Sequence, residues 1–128
     1  MLVNLTPHPI RIYGWDIPDR IDPAEYEPAH VIEPSGDVAR IGEIELGTQT
    51  LRGCDARVEF VEYRHANGLP PKYENFDTNT TWYIVSLALA LSMAGEGPGH
   101  RNDLLVPFRE IRNLDGAVIG CRSLALPV

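Results

Sequence analysis

The sequence predicts an α+β fold, namely a mostly antiparallel β-sheet with one short helix packed on it. Two observations lead to this prediction. Short runs of β-branched and aromatic residues alternate with clusters of Gly, Pro, Asn and Asp, as is typical of strands joined by turns. A single run rich in Ala and Leu, at residues 87–94, has a helical composition instead. The 128 residues are enough for one domain, spanning 1–128, that buries about two-thirds of its unfolded-chain surface.

The first predicted strand covers residues 3–13 and contains the stretch NLTPHPIRIY. Side chains alternate along a strand, so Asn4, Thr6 and His8 are predicted to share one face, with Arg11 on the other. A polar row that runs into an apolar stretch is either a hydrogen-bonded corner of the fold or one wall of a ligand site. The residues themselves leave both interpretations open.

Prolines and alternation define the next elements. Residues 14–34 hold four prolines with acidic residues between them, which excludes a regular helix or a central strand. We therefore expect an exposed, acidic, proline-rich excursion at this point. The turn signal PSGD at 34–37 precedes a strand at 38–46, and residues 47–63 are predicted to form one or two more strands. A loop rich in Asn, Gly and Pro follows at 66–80.

The last third of the chain places the helix between two strands. A strand at 81–85 leads into the helix, which Ser86 is placed to cap and Gly95 to end. Further strands are predicted at 103–108 and 117–126. The residues between those two strands are predicted to form a turn or a single helical turn.

Composition argues against several classes of protein. The net charge of −7 argues against general affinity for nucleic acid, because such binding depends on neutralising phosphates. No apolar run is long enough to span a membrane, and the start of the chain lacks the pattern of a signal peptide. Cys54 and Cys121 are far apart and match no metal-binding spacing. We expect a cytoplasmic protein with two free thiols, no metal and no cofactor.

The sequence carries no enzyme signature. It lacks a glycine-rich phosphate loop, an H-E-x-x-H motif, a G-x-S-x-G motif and a cysteine pair at zinc spacing. Cys121 and Arg122 are neighbours on a predicted strand, so their side chains point to opposite faces and the arginine is not expected to activate the thiol. We therefore predict a protein that is not an enzyme.

The residue types that remain suit recognition of a small anionic ligand. Arginine binds phosphate in a bidentate manner and stacks on flat rings, and all the cations of residues 101–128 are arginines. They either contact a ligand or pair with local acids. Tyr83 is a stacking surface or a core residue, and Asn102 and Asp103 either contact a base or ribose or begin the next strand. The four arginines are Arg101, Arg109, Arg112 and Arg122.

Four blocks of the chain resemble a family of small phage and prophage proteins. The blocks are an N-x-T-P-H start, a Y-I-V-S strand, a D-L-L-V-P strand and a G-x-V-x-G-C-R finish. The resemblance covers most of the chain except residues 14–30 and 47–80. It is to phage anti-defence proteins of the Thoeris sponge type, which bind the cyclic ADP-ribose signal of bacterial immune TIR enzymes and hold it without cleaving it. Some members also trap cyclic oligonucleotides.

The resemblance implies a nucleotide ligand and a symmetric homo-oligomer, from dimer to hexamer, that acts in the host bacterial cytoplasm. In the opening polar row, His8 is then the expected ligand contact, while Asn4 and Thr6 are expected to form a structural corner. The alternative is a small phage protein that acts by protein–protein contact, as an inhibitor of a host enzyme or as a virion accessory component. The predicted ligand-binding residues are His8, Tyr83, Arg101, Asn102, Asp103, Arg109, Arg112 and Arg122.

Overall fold

The computed structural model describes residues 1–71, 81–95 and 99–128, without the side chains of residues 64 and 65. The predicted loop at 66–80 lies outside the described residues from position 72 onward. The elements in chain order are β1 (Leu2–Asn4), β2 (Ile10–Ile12), β3 (His30–Ile32), β4 (Arg40–Thr50), β5 (Arg57–Asn67), β6 (Trp82–Ile84), α1 (Leu87–Met93), β7 (Leu104–Arg112) and β8 (Val118–Ala125).

Six strands form one sheet in the order β1-β6-β7-β8-β2-β3, and β4 pairs with β5 in a separate hairpin. In the large sheet β1–β6, β6–β7 and β2–β8 are parallel, whereas β7–β8 and β2–β3 are antiparallel. Within the described ranges, the prediction of a mostly β fold with one short helix is confirmed. The sheet is mixed rather than mostly antiparallel, because β6, α1 and β7 form a crossover unit whose two adjacent strands run parallel.

The large sheet is nearly closed, since its first strand meets its last. Asn4, at the end of β1, forms a parallel bridge with Pro34, and the Ser35 N–H donates to the Asn4 carbonyl at 3.0 Å. The side-chain nitrogen of Asn4 donates to the Ile32 carbonyl in β3, also at 3.0 Å. These bonds join the two outer strands at one end and remove part of the open edge that each would otherwise present.

The polar row at the start of the chain forms a hydrogen-bonded corner. Asn4 is only 1% exposed. Its Nδ2 donates to the His8 carbonyl at 2.7 Å, and its Oδ1 accepts from the Thr6 N–H at 2.9 Å and from the Thr6 hydroxyl at 2.6 Å. Together with the bond to Ile32, these contacts fill every donor and acceptor position of the amide.

This corner divides the single strand predicted for residues 3–13 into β1 and β2. Pro7 and Pro9 lack the backbone N–H groups that a continuous strand needs. The carbonyl of His8, which lies between them, accepts a hydrogen bond from the Asn4 side chain, and this bond takes the place of one to a neighbouring strand. The alternation of side chains predicted across this stretch therefore does not hold beyond Thr6.

Helix α1 lies where the sequence places it. The hydroxyl of the N-cap Ser86 accepts from the Leu89 N–H at 3.3 Å, and the helix ends before Gly95, whose φ of 120° requires glycine. Leu89 and Ala90 are buried against the sheet in the main core cluster. Among the described residues, no helix has the length and apolar character needed to cross a membrane. The cluster contains Leu5, Ala39, Tyr83, Val85, Leu89, Ala90, Leu104 and Val106.

Residues 14–34 belong to the fold more closely than an exposed excursion would. Most of their acidic side chains are exposed, but Ile21 is 2% exposed and packs with Ile111 of β7 in a second apolar cluster. The Ile21 N–H donates to the Arg112 carbonyl at 2.9 Å, and the Arg112 N–H donates to the Asp19 carbonyl at 2.8 Å. Isoleucines between the prolines thus hold residues 14–34 against β7. The last part of this segment forms β3.

The β4–β5 hairpin has two strands of 11 residues each. The sequence predicts strands at 38–46 and 47–63, with a boundary between residues 46 and 47. In the structure no strand ends there, because β4 continues through Gly47 to Thr50. Phe60 lies opposite Gly47 and is 49% exposed, and Leu46 at a register shift is 65% exposed. The base of the hairpin packs on α1, and the rest of it carries exposed apolar side chains.

Strand β7 extends further than predicted. Residues 109–112, predicted as part of a turn, continue the pairing with β8. The turn is confined to residues 113–117, where Asn113 Oδ1 accepts from the backbone N–H groups of Asp115 and Ala117 at 3.0 and 2.9 Å. Asn is common in such turns because its side chain bonds to backbone groups a few residues on.

Replacing Asn4 by Ala is expected to lower the free energy of unfolding by about 1–3 kcal/mol, because it leaves buried partners unpaired. Urea unfolding followed by circular dichroism measures the change. His8→Ala is the matched control, since only the backbone carbonyl of His8 takes part in the corner and the side chain is exposed. Equal midpoints for Asn4→Ala and wild type would contradict a structural role for this corner.

Candidate functional site

A cleft of about 460 Å³ lies between β2 and the β7–β8 pair. This volume falls in the range of about 300–1,000 Å³ that is usual for small-molecule sites. Most of the lining is apolar, with a histidine and an arginine among it. The lining residues are His8, Pro9, Ile10, Arg11, Pro107, Val118, Ile119, Gly120 and Cys121.

His8 and Arg11 are the basic residues among those that line this cleft. The sequence predicts them on opposite faces of one strand, and the break at the Asn4 corner brings both to the same cleft. Both side chains are exposed, and no described residue hydrogen-bonds or ion-pairs with the Arg11 guanidinium. Arg11 was not among the predicted contacts, because only the interrupted strand places it here.

Cys121 lies at the bottom of the cleft and is 1% exposed. Its Sγ is 3.6 Å from the Arg11 carbonyl, to which it donates. Burial raises the pKa of the Cys121 thiol, and backbone hydrogen bonds at Phe108 and Ser123 oppose that rise only in part. A thiol with a raised pKa is a poor nucleophile, so this position suits packing rather than covalent chemistry.

Arg101 and Asp103 form a buried ion pair. Arg101 Nε and Nη2 donate to the two carboxylate oxygens of Asp103, both at 2.9 Å, and Nη1 donates to the Pro70 carbonyl at 2.7 Å. The guanidinium also lies over the ring of Tyr83, 5.9 Å from its centroid, and Tyr83 is a core residue at 7% exposure. Three of the predicted ligand contacts, Tyr83, Arg101 and Asp103, are thus brought together, and their functional groups contact one another.

Asn102 lies outside this ion pair and is exposed. It lines a hollow of about 280 Å³ with Gly95, Arg101 and the three C-terminal residues. The structure places this hollow apart from the cleft, since the two share no lining residue.

Arg112 and Arg122 both bind groups within the protein. Arg112 donates to the Glu110 carboxylate and to the Gly116 carbonyl, each at 2.8 Å. Arg122 Nε donates to the Ile17 carbonyl at 2.7 Å, and Nη2 donates to the Asp19 carboxylate. The Arg122 contacts fasten residues 14–34 to β8, so both guanidinium groups have internal roles.

Arg109 differs from Arg101, Arg112 and Arg122 in its backbone conformation and in the group that its side chain contacts. Its φ of 60° lies in the left-handed region, which a non-glycine residue adopts at a cost of about 1–3 kcal/mol. Its guanidinium carbon lies 5.3 Å from the centroid of the Phe108 ring, and both side chains are exposed. The pair therefore presents a flat cation and an aromatic ring to solvent.

The arrangement of groups allows binding of a ligand with an apolar part and an anionic part. The apolar lining of the cleft has the chemistry to take up the first, and the guanidinium of Arg11 and the imidazole of His8 have the chemistry to take up the second. Among the described residues, no group of three or more His, Cys, Asp or Glu side chains is placed to hold a metal ion.

Comparison with protein-family models, curated proteins and solved structures found no match to this chain.

The two thiols are expected to differ sharply in reactivity. Cys54 is exposed in the turn between β4 and β5, whereas Cys121 is buried with a raised pKa. In native protein, an aromatic disulfide reagent at mildly alkaline pH should label Cys54 rapidly and reach Cys121 only after urea is added. A Cys54→Ser variant that labels rapidly in its native state would show that the bottom of the cleft is open to the reagent.

Proposed function

We propose that this protein binds a small anionic nucleotide, of the cyclic ADP-ribose or cyclic oligonucleotide type, and holds it without cleaving it. The resemblance to phage anti-defence proteins of the Thoeris type suggests the ligand class and the host cytoplasm as the setting. The observation that supports binding most directly is the cleft whose apolar lining includes the exposed His8 and Arg11, an arginine with no ion-pair partner among the described residues.

Charge supports a small ligand over a polymer. The protein has a net charge of −7, so a long polyanion is repelled by most of its surface. One or two cations that no internal acid neutralises still attract a compact phosphate-bearing molecule. Arg11 meets this condition among the described residues, and its planar guanidinium suits bidentate contact with a phosphate group.

The assignment of phosphate contacts shifts from the C-terminal arginines to Arg11. Arg101, Arg112 and Arg122 already donate to carboxylates and carbonyls of the chain. A ligand phosphate would have to replace those partners, and at Arg101 it would leave Asp103 as an unpaired buried carboxylate, which is costly. Arg11 has no such partner among the described residues, so its donors can bind a phosphate without that loss.

Isothermal titration calorimetry against cyclic ADP-ribose isomers and cyclic di- and trinucleotides tests the proposal. We expect one of these ligands to bind, and Arg11→Ala to weaken that binding by about 1.5–3 kcal/mol, the range for charge-assisted hydrogen bonds. Arg11→Lys should restore part of the loss. Arg52→Ala is the matched control, because Arg52 is exposed in the distant hairpin turn.

The same samples separate the proposal from its alternatives. Heating the complex and recovering the intact ligand supports sequestration, whereas an altered ligand indicates an enzyme. Absence of binding across the whole panel favours the alternative function, a small phage protein that acts by protein–protein contact. Arg11→Ala binding as tightly as wild type would remove Arg11 from the site.

We also propose that the protein is a homo-oligomer, between a dimer and a hexamer, with a second copy of the chain covering the hairpin. An isolated two-stranded hairpin is only marginally stable in water. Among the described residues, Ala66 at the base of this hairpin packs against the main core cluster, whereas Phe60 and Leu46 are exposed. Burying such side chains against an identical hairpin is a symmetric way to stabilise both.

Light scattering after size-exclusion chromatography should give a mass of at least two chains at micromolar concentration. Phe60→Asp should shift the mass toward one chain, because it places a charge in the contact. Leu114→Asp serves as the control, since Leu114 is exposed to a similar degree, at 61%, in the turn after β7. A wild-type protein that elutes as a single chain would count against the oligomer.

A further inference from the structure

Phe108 and Arg109 are adjacent in β7, yet their side chains meet. In a regular strand, neighbouring side chains point to opposite faces of the sheet. The left-handed backbone at Arg109, with φ of 60°, departs from the regular strand and allows the guanidinium to lie over the Phe108 ring at 5.3 Å. The strain at Arg109 is thus linked to a flat, stacked pair on the outside of the strand.

Contacts among the described residues do not explain the pair. Phe108 is 46% exposed, and the Arg109 side chain has no described hydrogen-bond or ion-pair partner in the protein. An exposed contact of a cation with a ring is weak in water. Residues with a strained backbone cluster at active sites, ligand-binding sites and switch regions.

The pair lies beside the cleft. Pro107, the residue before Phe108, lines the cleft. Glu110 pairs with Cys121, which lies at the bottom of the cleft, and Phe108 pairs with Ser123. Ser123 lies two residues from Cys121 on β8, and a backbone hydrogen bond at Phe108 acts on the Cys121 thiol. Both observations place Phe108 next to the residues that line the cleft.

We propose that Phe108 and Arg109 form a stacking platform for the planar ring of the ligand, while Arg11 and His8 contact its anionic part. This inference rests on the proposed function and adds a second specificity element to it. The ring stacks on the guanidinium, which Phe108 supports from the other side. Stacking of this kind accepts any flat heterocycle, so the platform selects ligands that carry a nucleobase over sugar phosphates.

Two probes that differ by one base test the platform. Adenosine 5′-monophosphate carries a base and a phosphate, and ribose 5-phosphate carries the phosphate alone. Chemical-shift titrations should show that wild type binds the base-containing probe at least about tenfold more tightly. Phe108→Ala and Arg109→Gly should remove most of that difference and leave ribose 5-phosphate binding unchanged. Leu91→Ala and Arg52→Gly are the controls, since both side chains are exposed and neither residue lines the cleft.

Thermal melts distinguish a binding role from a structural one. Glycine adopts a φ of 60° without strain, so Arg109→Gly should melt at the same temperature as wild type or higher. Lower melting by several degrees would show that the pair serves the fold and would overturn the proposal. So would unchanged preference for the base-containing probe in both variants. If wild type binds ribose 5-phosphate without a preference for the base, the platform fails while the proposed phosphate site stands. If it binds neither probe, the platform is overturned, and the calorimetric titrations with cyclic nucleotides decide the proposed function separately.

Discussion

The side-chain amide of Asn4 is the contact on which the rest of the structure depends. It is buried, and its four hydrogen bonds reach Thr6, the His8 carbonyl and the Ile32 carbonyl of β3. One side chain therefore shapes the corner between β1 and β2 and joins the outer strands of the nearly closed sheet. Because a buried amide with unmet hydrogen bonds is costly, this geometry has few alternatives.

The candidate site is a consequence of that corner. The chain leaves the corner through Pro9 into β2, which pairs in parallel with β8 at Ile12 and Cys121. This path carries His8 and Arg11 to the same cleft. The close approach is visible at Gly120, where a Cβ atom would lie 2.6 Å from the Tyr13 ring and 2.7 Å from the Arg11 carbonyl. Glycine is required there because β2 and the Tyr13 ring lie directly against β8.

The arginines have two roles in this protein, and the groups that each guanidinium contacts decide which role it has. Arg101, Arg112 and Arg122 are fastened to acids and carbonyls and hold loops onto the strands. Arg11 and Arg109 keep their guanidinium groups free of acidic partners among the described residues. In a chain with a net charge of −7, these two side chains are cations that no described acid neutralises.

Local signals in the sequence determined the elements that depend on neighbouring residues alone. The Ser86 cap, the Ala- and Leu-rich helix and its end at Gly95 were predictable, because capping and propensity act within a few residues. Strand pairing was not, since the parallel pair of β6 and β7 depends on a crossover, and the junction of β1 with β3 depends on the Asn4 bond to a residue 28 positions away. The same holds for the site: whether an arginine is free or paired depends on residues distant in sequence, which only the tertiary structure brings into contact.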